Sequence, residues 1–91
     1  MPVADPDPRP LILLVEDKVL VRVTLASMLE SGGFRVAPVA SADEALELLA
    51  NVPGIRAVVT DVVLSPGSLN GLELAQRIRE EWLLGVVVTS G

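Results

Sequence analysis

VVTDVVL, residues 58–64, sets one acid among six residues that are apolar or β-branched. Such a run reads as a strand buried on both faces, the pattern of a central strand in a parallel sheet. The acid is Asp61, and an aspartate carboxylate in water is ionised at neutral pH. Burying that charge in an apolar strand is costly unless something pairs with it. Asp61 therefore asks either for a strand that ends at it, facing water, or for a pocket that holds its charge.

The flanking sequence supplies the frame for such a strand, predicted over 57–64. Upstream, LILLV (11–15) is a second short apolar run, closed by Glu16-Asp17. The period then changes: Val21, Leu25, Met28 and Leu29 share one helical face over 19–31, and Gly32-Gly33 stops the helix. Residues 34–39 read as another strand, with Pro38 pointing to a sheet edge. Ser41 and Glu44 form a capping box for a helix that carries Ala45, Leu46, Leu48 and Leu49 and ends near Asn51. Pro53-Gly54 is the break before the quoted strand. After it, residues 65–70 are turn-rich, and Asn70 with Glu73 gives a second capping pair. The helix that follows runs to about Glu81, with Leu74, Ala75, Ile78 and Trp82 on one face, and residues 86–89 form a last strand. Short apolar strands alternating with amphipathic helices predict an α/β fold, a doubly wound parallel sheet covered on both sides.

Composition limits what such a domain can do. The chain has 91 residues, enough for one small domain, here assigned to residues 11–91 behind a flexible Pro- and Asp-containing lead-in over 1–10. It is 51% hydrophobic but 2% aromatic, so its core is aliphatic. A net charge of −5 argues against a nucleic-acid surface. There is no Cys, so disulfides and thiolate chemistry are excluded, and no His, which removes imidazole catalysis and imidazole metal sites. The first ten residues lack the apolar stretch of a signal peptide, and apolar runs reach about five residues, far short of the ~20 that span a bilayer. A cytoplasmic location without membrane contact is the expectation.

The chemistry gathers at the strand ends. Glu16-Asp17 follows the first strand, and Asp61 lies towards the carboxyl end of the third. With strand order 2-1-3-4, the first and third strands are neighbours and the order reverses between them, where ligands of doubly wound sheets bind. That arrangement brings the three acids together. A bound Mg²⁺ would relieve their mutual repulsion, being a hard cation that takes carboxylate, carbonyl and water oxygens. An Asp beside such a metal can accept a phosphoryl group. Plainer readings exist for each residue: Glu16-Asp17 suits a simple helix N-cap, and Asp61 the wet end of a shorter strand. Lys18, the one lysine, reads as a solvated helix-start residue rather than a phosphate contact, since a cation there opposes the helix dipole. Gly71 reads as permitting close approach at a helix start.

LILLVEDK (11–18), VVTDVVL with its Pro-Gly loop, NGLELAQRIR (70–79) and VVVTSG (86–91), in that order and spacing, resemble the receiver domain of bacterial two-component response regulators. The resemblance implies a flavodoxin-like fold and a phosphorelay role. It implies Asp61 as phosphoacceptor, Asp17 as direct Mg²⁺ ligand, Glu16 as a ligand acting through water, and the Val63 backbone carbonyl as a further metal ligand. Thr89 matches the switch hydroxyl; Ser90 alternates to the other side of the strand. The implied partner is a sensor histidine kinase or a phosphotransfer protein, and the implied chemistry is confined to the domain's own phosphorylation and dephosphorylation.

The resemblance stops at the fourth strand. Receivers continue with a fourth helix, a fifth strand, a fifth helix and a phosphoryl-pairing Lys, so the chain reads as an incomplete receiver. The open fourth strand makes a homodimer through the sheet edge a further expectation. Two other readings remain beside the switch. One is a degenerate receiver that acts only as a protein-interaction module. The other is a small Mg²⁺-dependent phosphatase, against which stands Val63 where its general-acid Asp would lie.

Overall fold

The computed structural model describes residues 7–62, 64 and 69–89. Most of the lead-in, the Val63 carbonyl, the Pro-Gly turn and Ser90 lie outside them. The elements are β1 (Leu11–Val15), α1 (Val19–Ser31), β2 (Arg35–Val39), α2 (Ala42–Asn51), β3 (Ile55–Asp61), α3 (Gly71–Trp82) and β4 (Gly85–Thr89). The four strands form one parallel sheet in the order β2-β1-β3-β4. The predicted fold class and strand order therefore stand. Right-handed crossovers then put α1 on one face and α2 and α3 on the other, because the chain moves outward in opposite directions from β1.

The core lies between the sheet and the α2–α3 layer. Leu13 and Val15 of β1 and Val58 of β3 point into it and meet Ala42, Ala45, Leu49, Leu74 and Ile78. Each fully buried Leu or Ile of this set contributes roughly 1.5–3 kcal/mol of transfer free energy. Ile12 and Leu14, buried on the opposite side of β1, face α1. That helix is the weaker layer: none of its residues is fully buried, Val21, Leu25 and Leu29 are half-buried, and Met28, expected on the same face, is exposed.

The caps fall where the sequence puts them. Asn70 Oδ1 accepts from the Glu73 amide at 2.9 Å while Glu73 Oε1 accepts from the Asn70 amide at 3.2 Å. At α2, Ser41 Oγ accepts from the Glu44 amide, and the Glu44 carboxylate reaches one residue further back than expected, to the Ala40 amide. Helix α1 closes with the Phe34 amide donating to Leu29 O and Gly33, at φ +97°, donating to Glu30 O, a Schellman turn that needs a left-handed residue. Pro38 sits on β2, an edge strand, where its missing N–H breaks no ladder.

The sheet boundaries differ from expectation in one informative place. β3 starts two residues earlier than predicted, at Ile55, and ends at Asp61 rather than Leu64. The Val62 amide still donates to Thr89 O and closes the ladder, but the Val62 carbonyl accepts from the Gly71 amide instead of continuing it, both at 2.9 Å.

Candidate functional site

Three carboxylates meet at the carboxyl ends of β1 and β3. Glu16 continues β1 by one residue, its amide donating to Val39 O at 3.0 Å, and this carries its side chain inside, where it is 1% exposed. Its Oε1 accepts from the amide of Lys18, the residue before α1, at 3.1 Å. Arg22, one turn along that helix, donates to the Glu16 carbonyl at 2.9 Å and fixes the corner. Asp17 is half-buried beside it. Asp61, the last residue of β3, is 3% exposed. Glu16, Asp17 and Asp61 each offer an oxygen, and the three oxygens lie within 4.8 Å of one another.

Burial pushes the Glu16 carboxyl above its ordinary value; the Lys18 amide pulls the other way, and the Asp61 charge and a hydrogen bond with Asp17 push it further up. The reading of Glu16-Asp17 as a simple N-cap does not hold: Lys18 occupies the N-cap position of α1 and no side chain caps the helix. The alternative in which Asp61 faces water at the end of a shorter strand is half right: the strand is shorter, but the carboxylate is buried.

The backbone of Asp61 is clamped from three sides. Thr60 Oγ1 donates to the Asp61 carbonyl at 3.1 Å. Helix α3 starts against it: a Cβ on Gly71 would lie 1.8 Å from Asp61 O, so only glycine lets the helix come this close. On the other side Thr89 is the register partner of Asp61 across the β3–β4 ladder. The Thr89 hydroxyl donates to the Thr60 carbonyl at 3.4 Å. The structure thus brings Glu16, Asp17 and Asp61 together and sets Thr89 on the adjoining strand; Val63 lies outside the described residues.

Sequence reasoning missed two contacts. The first is the Thr60 hydroxyl, hidden by the β-branched run that contains it. The second corrects the expectation for Lys18. Its side chain is 61% exposed, as a helix-start residue should be, yet its ammonium lies 3.7 Å from Asp61 Oδ2. The signal available was its place directly after the acid pair.

With this geometry established, comparisons with known proteins are informative. The family described as "Response regulator receiver domain" matches residues 12–91. The two-component response regulator ORR3 of Oryza sativa subsp. indica is 31% identical over 75 residues, covering 82% of this chain and 56% of that protein. ORR11 of the same organism is 35% identical over 71 residues, covering 78% of this chain and 47% of its own. The chain thus spans about half the length of these curated relatives. Among solved structures, a response regulator receiver protein from Pseudomonas putida superposes with a TM-score of 0.80 at 33% identity, covering 91% of this chain and 69% of that one. A sensor protein from Polaromonas sp. JS666 gives 0.81 at 38% identity, covering 92% and 67%.

Proposed function

The chain belongs to the response regulator receiver domain family, and from that premise we propose that it is a phosphorylation-controlled signalling switch in a two-component system, with Asp61 as phosphoacceptor. One observation carries this reading. Asp61 ends a central strand, is nearly inaccessible, and shares its pocket with two further carboxylates at the point where the strand order reverses.

The donor set suits Mg²⁺: all-oxygen, anionic, crowded, and led by a Glu that burial makes reluctant to ionise alone. Glu16, Asp17 and Asp61 would hold the ion, with the Val63 carbonyl as the remaining protein ligand of the proposal. Bound there, Mg²⁺ supplies charge neutralisation for an incoming phosphoryl group. The Asp61 carboxylate attacks phosphorus of a phosphohistidine on a sensor histidine kinase or phosphotransfer protein. The P–N bond breaks, the imidazole leaves with the electron pair and is protonated by water, and a mixed anhydride forms on Asp61. Thr89 turns from the Thr60 carbonyl towards the new phosphoryl oxygen, and that movement biases a partner-binding surface. The domain catalyses its own phosphorylation and dephosphorylation and no other turnover. Its setting in this proposal is the cytoplasm, without nucleic-acid contact; no helix among the described residues is long and apolar enough to cross a membrane.

The test uses acetyl phosphate and Mg²⁺ with the chain as it stands, followed by peptide mass mapping. The expected result is a phosphoryl group on Asp61 that Asp61→Asn abolishes. An unlabelled wild type would instead favour a phosphorylation-independent interaction module.

A further inference from the structure

Lys18 is a cation at the start of a helix, a position where a positive charge opposes the macrodipole. It is nonetheless anchored there. Its amide is bound by the Glu16 carboxylate at 3.1 Å, and its backbone is extended (φ −83°, ψ 117°) rather than helical. Its ammonium stands 3.7 Å from Asp61 Oδ2. The root of the side chain is thus fixed to the carboxylate cluster while its head stays mostly in solvent and can follow a moving oxygen. Five arginines are engaged elsewhere: Arg9 with Asp7, Arg77 with Glu81, Arg79 with the Val86 carbonyl, Arg22 with the Glu16 carbonyl and Arg35 with the Arg9 carbonyl.

We propose that Lys18 is a phosphoryl-binding residue: its ammonium contacts the phosphoryl oxygens carried by Asp61. The inference rests on the reading of Asp61 as acceptor. When a carboxylate oxygen of Asp61 bonds to phosphorus and the donor's leaving group departs with its electron pair, the negative charge moves outward from the buried carboxylate onto the phosphoryl oxygens. The four-carbon stem of Lys18 allows the ammonium to move with it, exchanging a carboxylate contact for a charge-assisted bond to phosphate. The attraction grows in that step, because the phosphoryl oxygens carry more charge than the carboxylate they replace.

The test compares wild type, Lys18→Met and Lys18→Arg in the full chain. Three quantities are measured: the rate of Asp61 labelling by acetyl phosphate with Mg²⁺, calorimetric binding of Mg²⁺ alone, and calorimetric binding of beryllofluoride, a phosphoryl mimic, in saturating Mg²⁺. Lys18→Met should label about tenfold more slowly and bind beryllofluoride about tenfold more weakly, the loss of one charge-assisted contact. Lys18→Arg should retain most of both. Mg²⁺ affinity of Lys18→Met should be unchanged or tighter, since a positive charge has left the neighbourhood of the metal's carboxylates. Labelling and beryllofluoride binding equal to wild type in Lys18→Met would overturn the role of Lys18 and leave Asp61 as acceptor. A fall in Mg²⁺ affinity in step with the other two would also overturn it, by showing that the substitution damages the pocket itself. A wild type that neither labels nor binds beryllofluoride defeats the acceptor reading, and the role of Lys18 with it.

Discussion

Gly71 is the residue on which the geometry of Asp61 most depends. Its amide holds the Val62 carbonyl, and a Cβ at this position would sit 1.8 Å from Asp61 O and 2.8 Å from Val62 Cα. All three of the nearest atoms belong to backbone, which cannot rotate away as a flexible side chain could. Gly71→Ala must therefore push α3 off the end of β3. Alanine gains about 1 kcal/mol of helix propensity over glycine, but overpacking typically costs about 1–3 kcal/mol and can cost more against fixed backbone. The expected outcome is a net loss of stability in urea unfolding, together with weaker Mg²⁺ binding as Asp61 shifts. Gly85→Ala is the control, since nothing lies within 4 Å of a Cβ there; it should leave both measurements near wild type. Sequence reading assigned Gly71 a close approach but not its target. A glycine before an amphipathic run signals crowding, and only the register of the loop return shows what crowds it.

Elements with their own punctuation were legible before any coordinates. The Ser41 and Asn70 caps, the Gly32-Gly33 stop and the Pro38 edge each encode a local hydrogen-bond problem that the sequence solves locally. Elements bounded by tertiary events were not. The apolar run that contains β3 continues to Leu64, and the strand stops at Asp61 where the Val62 carbonyl is claimed by the Gly71 amide. Helix α1 is apolar on too many sides for periodicity to select its inner face, and Met28 went to the wrong one. The C-cap of α3 was equally invisible. Leu83 there adopts the left-handed conformation (φ 56°, ψ 32°) while 87% exposed. That conformation costs an L-residue about 1–2 kcal/mol, and an exposed side chain recovers little by burial. Leu83→Gly should raise stability by about 0.5–1 kcal/mol after the greater freedom of glycine in the unfolded chain is subtracted. Thermal unfolding checks this; a lower midpoint would mean that the Leu83 side chain contributes more than its exposure suggests.

At the scale of the whole molecule, the sheet order that assembles the acid pocket also leaves β4 paired on one side only among the described residues. Thr89 O points inward to the Val62 amide, so strand alternation turns the N–H and C=O groups of Val86 and Val88 outward. Val87, between them, is 57% exposed on the sheet face that α1 covers only near β1 and β2. An apolar strand with open backbone groups is a template for a second copy of the chain. Arg79 blunts part of it, donating from α3 to the Val86 carbonyl at 3.5 Å. Pairing of two copies along β4 follows as the expected mode of self-association, and two substitutions should move it in opposite directions. Val87→Lys places a charge on the edge and should hold the chain monomeric. Arg79→Ala frees the Val86 carbonyl and should shift association to lower protein concentration. Light scattering across micromolar concentrations measures all three forms. A wild-type mass that stays monomeric throughout would sink edge pairing, and association that ignores both substitutions would place the contact on another surface.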